Sequence, residues 1–120
     1  MSSDYTLRLL VLEDWQLWKD IRLESLLDSP AAFGASHEEQ SVMEDARFQE
    51  HITGNAIYGA FLGNDLVSVV GFMQEKGQRY GHRGKIFGVY TRPAARGKGL
   101  CKKLLLLAIE YARTRVVWLA

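Results

Sequence analysis

A mixed α/β domain is predicted by three features of the 120-residue chain. Short runs rich in β-branched and aromatic residues alternate in apolar character. Longer stretches carry apolar residues at helical spacing. A basic, glycine-rich loop sits where one pattern gives way to the other. The order that follows is β-α-α-β-β-β-α-β, an α/β (α+β) arrangement around a mixed sheet, in a single domain over residues 1–120.

"YTLRLLVL", from Tyr5 to about residue 11, opens the fold as a strand, with Thr6, Arg8 and Leu10 on one side and Leu7, Leu9 and Val11 on the other. Asp14 stands where a helix N-cap belongs. Trp15, Leu17, Trp18, Ile21, Leu26 and Leu27 then mark a helix, which "DSPAAFG" stops with Pro30 and Gly34. "SHEEQSVMEDARFQEHITG" reads as one second helix, capped by Ser36 with Glu39 three residues on, and with a partial stripe of Val42, Met43, Ala46 and Phe48.

Two strands follow, 56–62 and 66–74, joined by Gly63-Asn64-Asp65, a short hairpin signal. "KGQRYGHRG" is a polar connection, and "KIFGVYT" is the next strand, ended by Arg92-Pro93. From Gly99 to about Thr114 the residues Leu100, Leu104, Leu107, Ala108 and Tyr111, broadened by Leu105 and Ala112, form the stripe of a helix buried along one side. "RVVWLA", at residues 115–120, has the character of a fifth strand.

Composition narrows the class of protein. Apolar residues make up 48% and charged residues 24%, as in ordinary globular domains. No apolar run approaches a membrane helix and the start lacks a signal-peptide pattern, so a cytoplasmic location is expected. A lone cysteine, Cys101, leaves no internal disulfide. His37, His51 and His82 lack ligand spacing, so no metal is expected.

The net charge of +1 conceals an asymmetry. Residues 1–75 carry thirteen acids against four bases, whereas residues 76–120 carry eleven bases and only Glu110. A positive face that meets a polyanion follows, balanced against the plainer reading of a solvated basic surface.

The segment "TRPAARGKGLCKKLLLL", residues 91–107, concentrates that charge around Gly97 and Gly99 at a helix start. Unpartnered N–H groups and the positive dipole end make such a turn an anion site. No window reads G-x-x-x-x-G-K-[ST], and Gly97-Lys98-Gly99 is followed by no third glycine, so neither the Walker A loop nor the dinucleotide fingerprint applies.

Arg96-Gly97-Lys98-Gly99-Leu100-Cys101, preceded by "GVYTRPAA", resembles motif A of the GNAT superfamily of N-acetyltransferases, [Q/R]-x-x-G-x-[G/A] at a strand-to-helix turn. The predicted element order matches the family's nearly throughout, and "SPAAFGASHEE" resembles the connection between the first two helices in many bacterial members. The resemblance implies acetyl-CoA as co-substrate, its pyrophosphate held by the backbone of Gly97, Lys98, Gly99, Leu100, Cys101 and Lys102, with Arg96 or Lys98 pairing with phosphate. It implies that Val89, Tyr90 and Thr91 pair with the pantetheine arm along the splayed fourth strand, and that the Val89 N–H is an oxyanion donor. Cys101 stands where the family has Gly or Ala, and is read either as a reactive thiol or as a small residue tolerated in a close-packed turn.

The reaction so implied is direct attack of a primary amine, on a small molecule or peptide, at the thioester carbonyl. The general base is not evident, since "GKIFGVYT" lacks the glutamate of members that act on histone-like peptides. Phe33, Glu38 and Glu39 are candidates for the acceptor site, although Glu39 equally suits a cap and Glu38 a solvated position. The family continues past the fifth strand with a helix and two strands, which carry the tyrosine that protonates the departing thiolate. This chain ends at Ala120, truncated after the fifth strand, and Tyr111 lies on the wrong element to replace that tyrosine. An apolar C-terminal edge strand predicts a homodimer. The alternatives are a CoA-binding but silent relative and a basic nucleic-acid module, the latter less favoured because Tyr80, Phe87 and Tyr90 fall within or beside a strand.

Overall fold

A computed structural model describes residues 4–28, 37–74 and 84–115. Four antiparallel strands form one sheet in the order β1-β2-β3-β4: β1 (Tyr5–Leu9), β2 (Ala56–Leu62), β3 (Asp65–Gln74) and β4 (Gly84–Thr91). Consecutive strands are therefore neighbours. Every pairing among the described residues is antiparallel; of the fifth strand expected at residues 115–120, Arg115 instead ends the last described helix, and residues 116–120 lie outside the described residues.

Helices cover both faces. On one side lie α1 (Trp15–Asp28), α2 (His37–Ser41) and α3 (Asp45–Gly54); on the other lies α4 (Leu100–Arg115). Two cores result. Trp18, Ile21, Phe48 and Ile52 meet Ile57, Leu66, Val69 and Tyr90 on the first face, while Leu100, Leu104 and Ala108 meet Ala56, Ala60, Val67, Val70 and Phe72 on the second. Because β3 is covered on both faces, "LVSVVG" reads as a nearly continuous apolar run rather than an alternating one.

The second helix expected over 36–54 is in fact two, broken at residues 42–44 where Glu44 is extended (φ −65°, ψ 149°). A straight helix would set Met43 and Phe48 about 140° apart at 100° per residue, and only one of them would reach the sheet. With the break, Met43 packs on the core alongside a fully buried Phe48. Asp45 opens α3 and pairs with Lys19 of α1 at 2.9 Å. Ser36, the expected cap, lies outside the described residues.

Both long stripes are narrower than periodicity suggested. Leu27 is 65% exposed because nine residues bring it half a turn round from the fully buried Trp18. Leu107 is 36% exposed, about 60° round from Leu104, on which the buried face of α4 is centred.

Asp14 is not a forward cap. Its carboxylate accepts from the Val11 N–H at 2.8 Å, closing a 3-10 turn at Leu12–Asp14, and from both terminal nitrogens of Arg8 at 2.7 and 3.0 Å. The Arg8 hydrogen bond holds this carboxyl below its ordinary range, against the opposing effect of burial. Arg8 also lies over the Phe61 ring at 4.2 Å, so β1 is fastened to β2 and to the start of α1 by one guanidinium.

Candidate active site: the bulged strand and the glycine turn

The site begins with an irregularity in β4. Val69 pairs with Tyr90 and Gly71 with Phe87, so Val70 alone faces both Gly88 and Val89. One extra residue on β4 is a β-bulge, which bends the strand and interrupts its ladder. Gly88 takes φ +63°, and a Cβ there would stand 3.1 Å from Cη2 of Trp18. Glycine is required twice over, by backbone conformation and by the indole beneath it.

Past the bulge the strand is anchored firmly. Ser68 Oγ donates to the Tyr90 carbonyl at 3.2 Å or shares a proton with Thr91 Oγ1 at 2.7 Å, and the Arg92 N–H donates to the Val67 carbonyl at 2.8 Å. Pro93 then starts a 3-10 turn, Pro93–Ala95, whose Ala95 is buried against the α4 side of the sheet. Gly97 and Gly99 follow with φ +80° and +76°. A Cβ at either would meet no atom of the described residues within 4 Å, so it is the left-handed backbone that demands glycine.

Gly99 accepts the first helical bond of α4, from the Lys103 N–H at 3.2 Å. The N–H groups of Leu100, Cys101 and Lys102 therefore have no carbonyl one turn back, and they share the positive end of a 16-residue helix. Gly97, Lys98, Gly99, Lys102 and Lys103 are exposed, Cys101 is half-buried, and Leu100 is locked into the core. Among the residues expected to hold a cofactor, Tyr90, Thr91 and Arg96 meet at the rim of the turn, where Arg96 Nε donates to the Thr91 carbonyl at 2.9 Å and the guanidinium lies 5.8 Å from the centre of the Tyr90 ring, while the side chains of Tyr90 and Leu100 are buried.

A family profile described as "Acetyltransferase (GNAT) family" matches residues 15–120. The chain belongs to that acetyltransferase family. A comparison with curated proteins returns no match. Among solved structures, the PaiA N-acetyltransferase of Thermoplasma acidophilum in complex with coenzyme A is 18% identical, with a TM-score of 0.72 over 92% of this chain and 73% of that one. A GNAT family acetyltransferase of Brucella melitensis in complex with acetyl-CoA is 16% identical, with 0.69 over 94% and 71%. An aminoglycoside acetyltransferase from a soil metagenome, in complex with sisomicin, is 14% identical, with 0.68 over 95% and 73%. At such identities the likeness establishes the GNAT fold, and the bulged fourth strand and glycine turn belong to this chain's own geometry.

Sequence reasoning missed the polar network that ties this rim to α1. The Tyr90 hydroxyl donates to Glu24 at 3.1 Å, and Arg92 Nε lies 3.1 Å from the same carboxylate. Arg96 reaches Asp28 at 2.8 Å, while its Nε donates to the Thr91 carbonyl at 2.9 Å. One signal was present in the sequence: two acids end α1 with no base in its last turn, where the helix dipole disfavours them. Burial first, and then the Glu24 carboxylate, push the Tyr90 phenol up to about 12, so at neutral pH it is a donor and not a base.

Beneath the bulge, Trp18 Nε1–H donates to His51 Nδ1 at 3.1 Å, which places the proton of neutral His51 on Nε2. Arg22 donates through Nε to Gln40 at 3.2 Å and docks α2 on α1. Glu38 and Glu39, on α2, are exposed, and Phe33 lies outside the described residues. Burial, and then the charges of Arg22 and Arg47, lower His51 from its ordinary 6.5. The unfolded chain therefore binds the proton more tightly, and stability present above about pH 6.5 is lost as the pH falls toward the folded value. Urea unfolding midpoints from pH 7.5 down to 5 should show this loss, and His51→Gln, which keeps an acceptor for Trp18, should reduce the slope. An unchanged slope in that variant assigns the acid sensitivity elsewhere.

Proposed function

We propose that this acetyltransferase moves the acetyl group of acetyl-CoA directly to a primary amine on a small molecule or peptide. The carrying observation is the pair of left-handed glycines that opens the N-terminus of α4 directly after a bulged strand. In this reading the diphosphate lies on the backbone of Gly97 to Lys102, with Lys98 supplying charge, and Arg96 borders the turn. The pantetheine arm runs along Val89, Tyr90 and Thr91. The Val89 N–H, at the bulge where the ladder is interrupted, receives the developing oxyanion. Coenzyme A and acetyl-CoA in the Thermoplasma and Brucella structures support the cofactor, and sisomicin in the metagenomic enzyme supports an amine acceptor.

Thioester consumption measured against a panel of amines, amino acids, aminoglycosides and peptide N-termini tests the reading. Turnover with at least one class is expected. Coenzyme A binding without turnover on any of them would point instead to a silent relative.

The proposal includes a homodimer through the C-terminal edge. An apolar groove of about 670 Å³ between β4 and α4, lined by Phe72, Ile86, Ala108, Ile109 and Ala112, supports an association surface on this side of the described residues. Light scattering at tens of micromolar should give twice the chain mass, and a monodisperse monomer would count against it.

A further inference from the structure

The end of α1 carries two carboxylates one turn apart, Glu24 and Asp28, and each is engaged by the segment that leads from β4 into the glycine turn. Neither serves α1 itself, since acids at a helix C-terminus oppose its dipole. Their partners come from 66 to 68 residues away. Arg96 is the critical one. Its Nε bonds the Thr91 carbonyl, its Nη2 bonds Asp28, and its guanidinium lies 5.8 Å from the centre of the Tyr90 ring. It therefore spans the turn from the last residue of β4 to the residue before Gly97, and is itself held from outside by α1.

We infer that Asp28, with Glu24 beside it, is a positioning residue for the coenzyme A diphosphate, acting by holding Arg96 and Arg92 so that the Thr91-to-Gly97 arc is set before the cofactor arrives. This rests on the assignment of the glycine turn to coenzyme A made above. The physical reason is preorganisation. Gly97 and Gly99 leave the exposed turn conformationally free, and a guanidinium clamp on its entry removes part of the ordering cost at binding. The Arg96 and Asp28 side chains are 51% and 37% exposed, so the pair contributes little to global stability and its loss is felt locally. A second consequence is specific to Arg96: its charge is directed to a carboxylate, and the phosphates are left to the backbone and Lys98.

Calorimetric titration of the full chain with coenzyme A, together with KM and kcat for acetyl-CoA and thermal midpoints, tests this. Asp28→Ala and Asp28→Asn should each weaken coenzyme A binding by about three- to tenfold and raise KM with kcat retained and the midpoint little changed, while Asp28→Glu restores affinity. Tighter binding in Asp28→Asn would mean that the carboxylate competes with phosphate for Arg96, and equal binding would mean that it does neither; both overturn the inference. Should the alanine variant melt early, Glu24→Gln, which retains an acceptor for Tyr90, must show the same direction, and an unchanged affinity in it counts equally against the idea. If the unaltered chain binds no coenzyme A, the cofactor assignment fails and the inference falls with it.

Discussion

Gly99→Val should abolish measurable coenzyme A binding at micromolar protein while leaving most of the chain folded. Position 99 has φ +76°, a conformation that costs an L-residue about 1–2 kcal/mol and a β-branched one more. The chain offers no steric objection, as a Cβ there meets nothing within 4 Å. Relief of the strain is therefore easy: the residue rotates to negative φ and drags the α4 entrance with it. That movement re-aims the N–H groups of Leu100, Cys101 and Lys102, on which the proposed diphosphate site depends. Gly63→Val in the β2–β3 hairpin is the matched control, since Gly63 also has positive φ (+63°) and open space around it. It should lose at least about 2 kcal/mol of stability, the cost being larger for a β-branched residue, and bind coenzyme A normally. Parallel titrations and melts read both, and equal affinity in the two variants would remove the glycine turn from the cofactor site.

Trp18→Ala should cost about 3–5 kcal/mol of stability, a large part of what a domain of this size possesses. The indole is fully buried at the centre of the α1-side core, edge-on to Phe87 (centroids 6.3 Å) and His51 (6.0 Å). Three losses combine. A cavity opens among Ile21, Phe48 and Val69; His51 Nδ1 loses its donor; and the Gly88 bulge loses the surface it rests on. Trp18→Phe should recover part of the packing but not the hydrogen bond. Urea titration with a far-ultraviolet probe measures both. A loss below about 1 kcal/mol for the alanine variant would show that the core collapses into the gap.

The glycine turn was legible because everything it needs is local. Two glycines, a proline exit from a strand and a leucine-rich helix stand within seventeen consecutive residues, and their conformations depend mostly on one another. The boundaries of β2, β3 and β4 were legible for the same reason, whereas β1 ends at Leu9 rather than near residue 11. Gly88 was visible but not interpreted, although an isolated glycine inside a strand pattern is the usual mark of a bulge. The break at residues 42–44 carries no glycine or proline, and it follows from burying Met43 and Phe48 together.

What the sequence by itself determined is the class of fold, the order of its four described strands and the glycine turn before the last described helix, because hydrophobic period and turn residues are written in neighbouring positions. Only the tertiary structure decided which charges meet. Glu24 with Tyr90 and Arg92, Asp28 with Arg96, and Trp18 with His51 are separated by 33 to 68 residues, and no local pattern selects one arginine over another. Those pairings exist because α1 packs on β3 and beside α3, with Trp18 and Ile21 in one core with Val69 and Tyr90. Hydrophobic burial chooses where α1 lies, and the polar contacts that join it to the entry of the glycine turn follow from that placement.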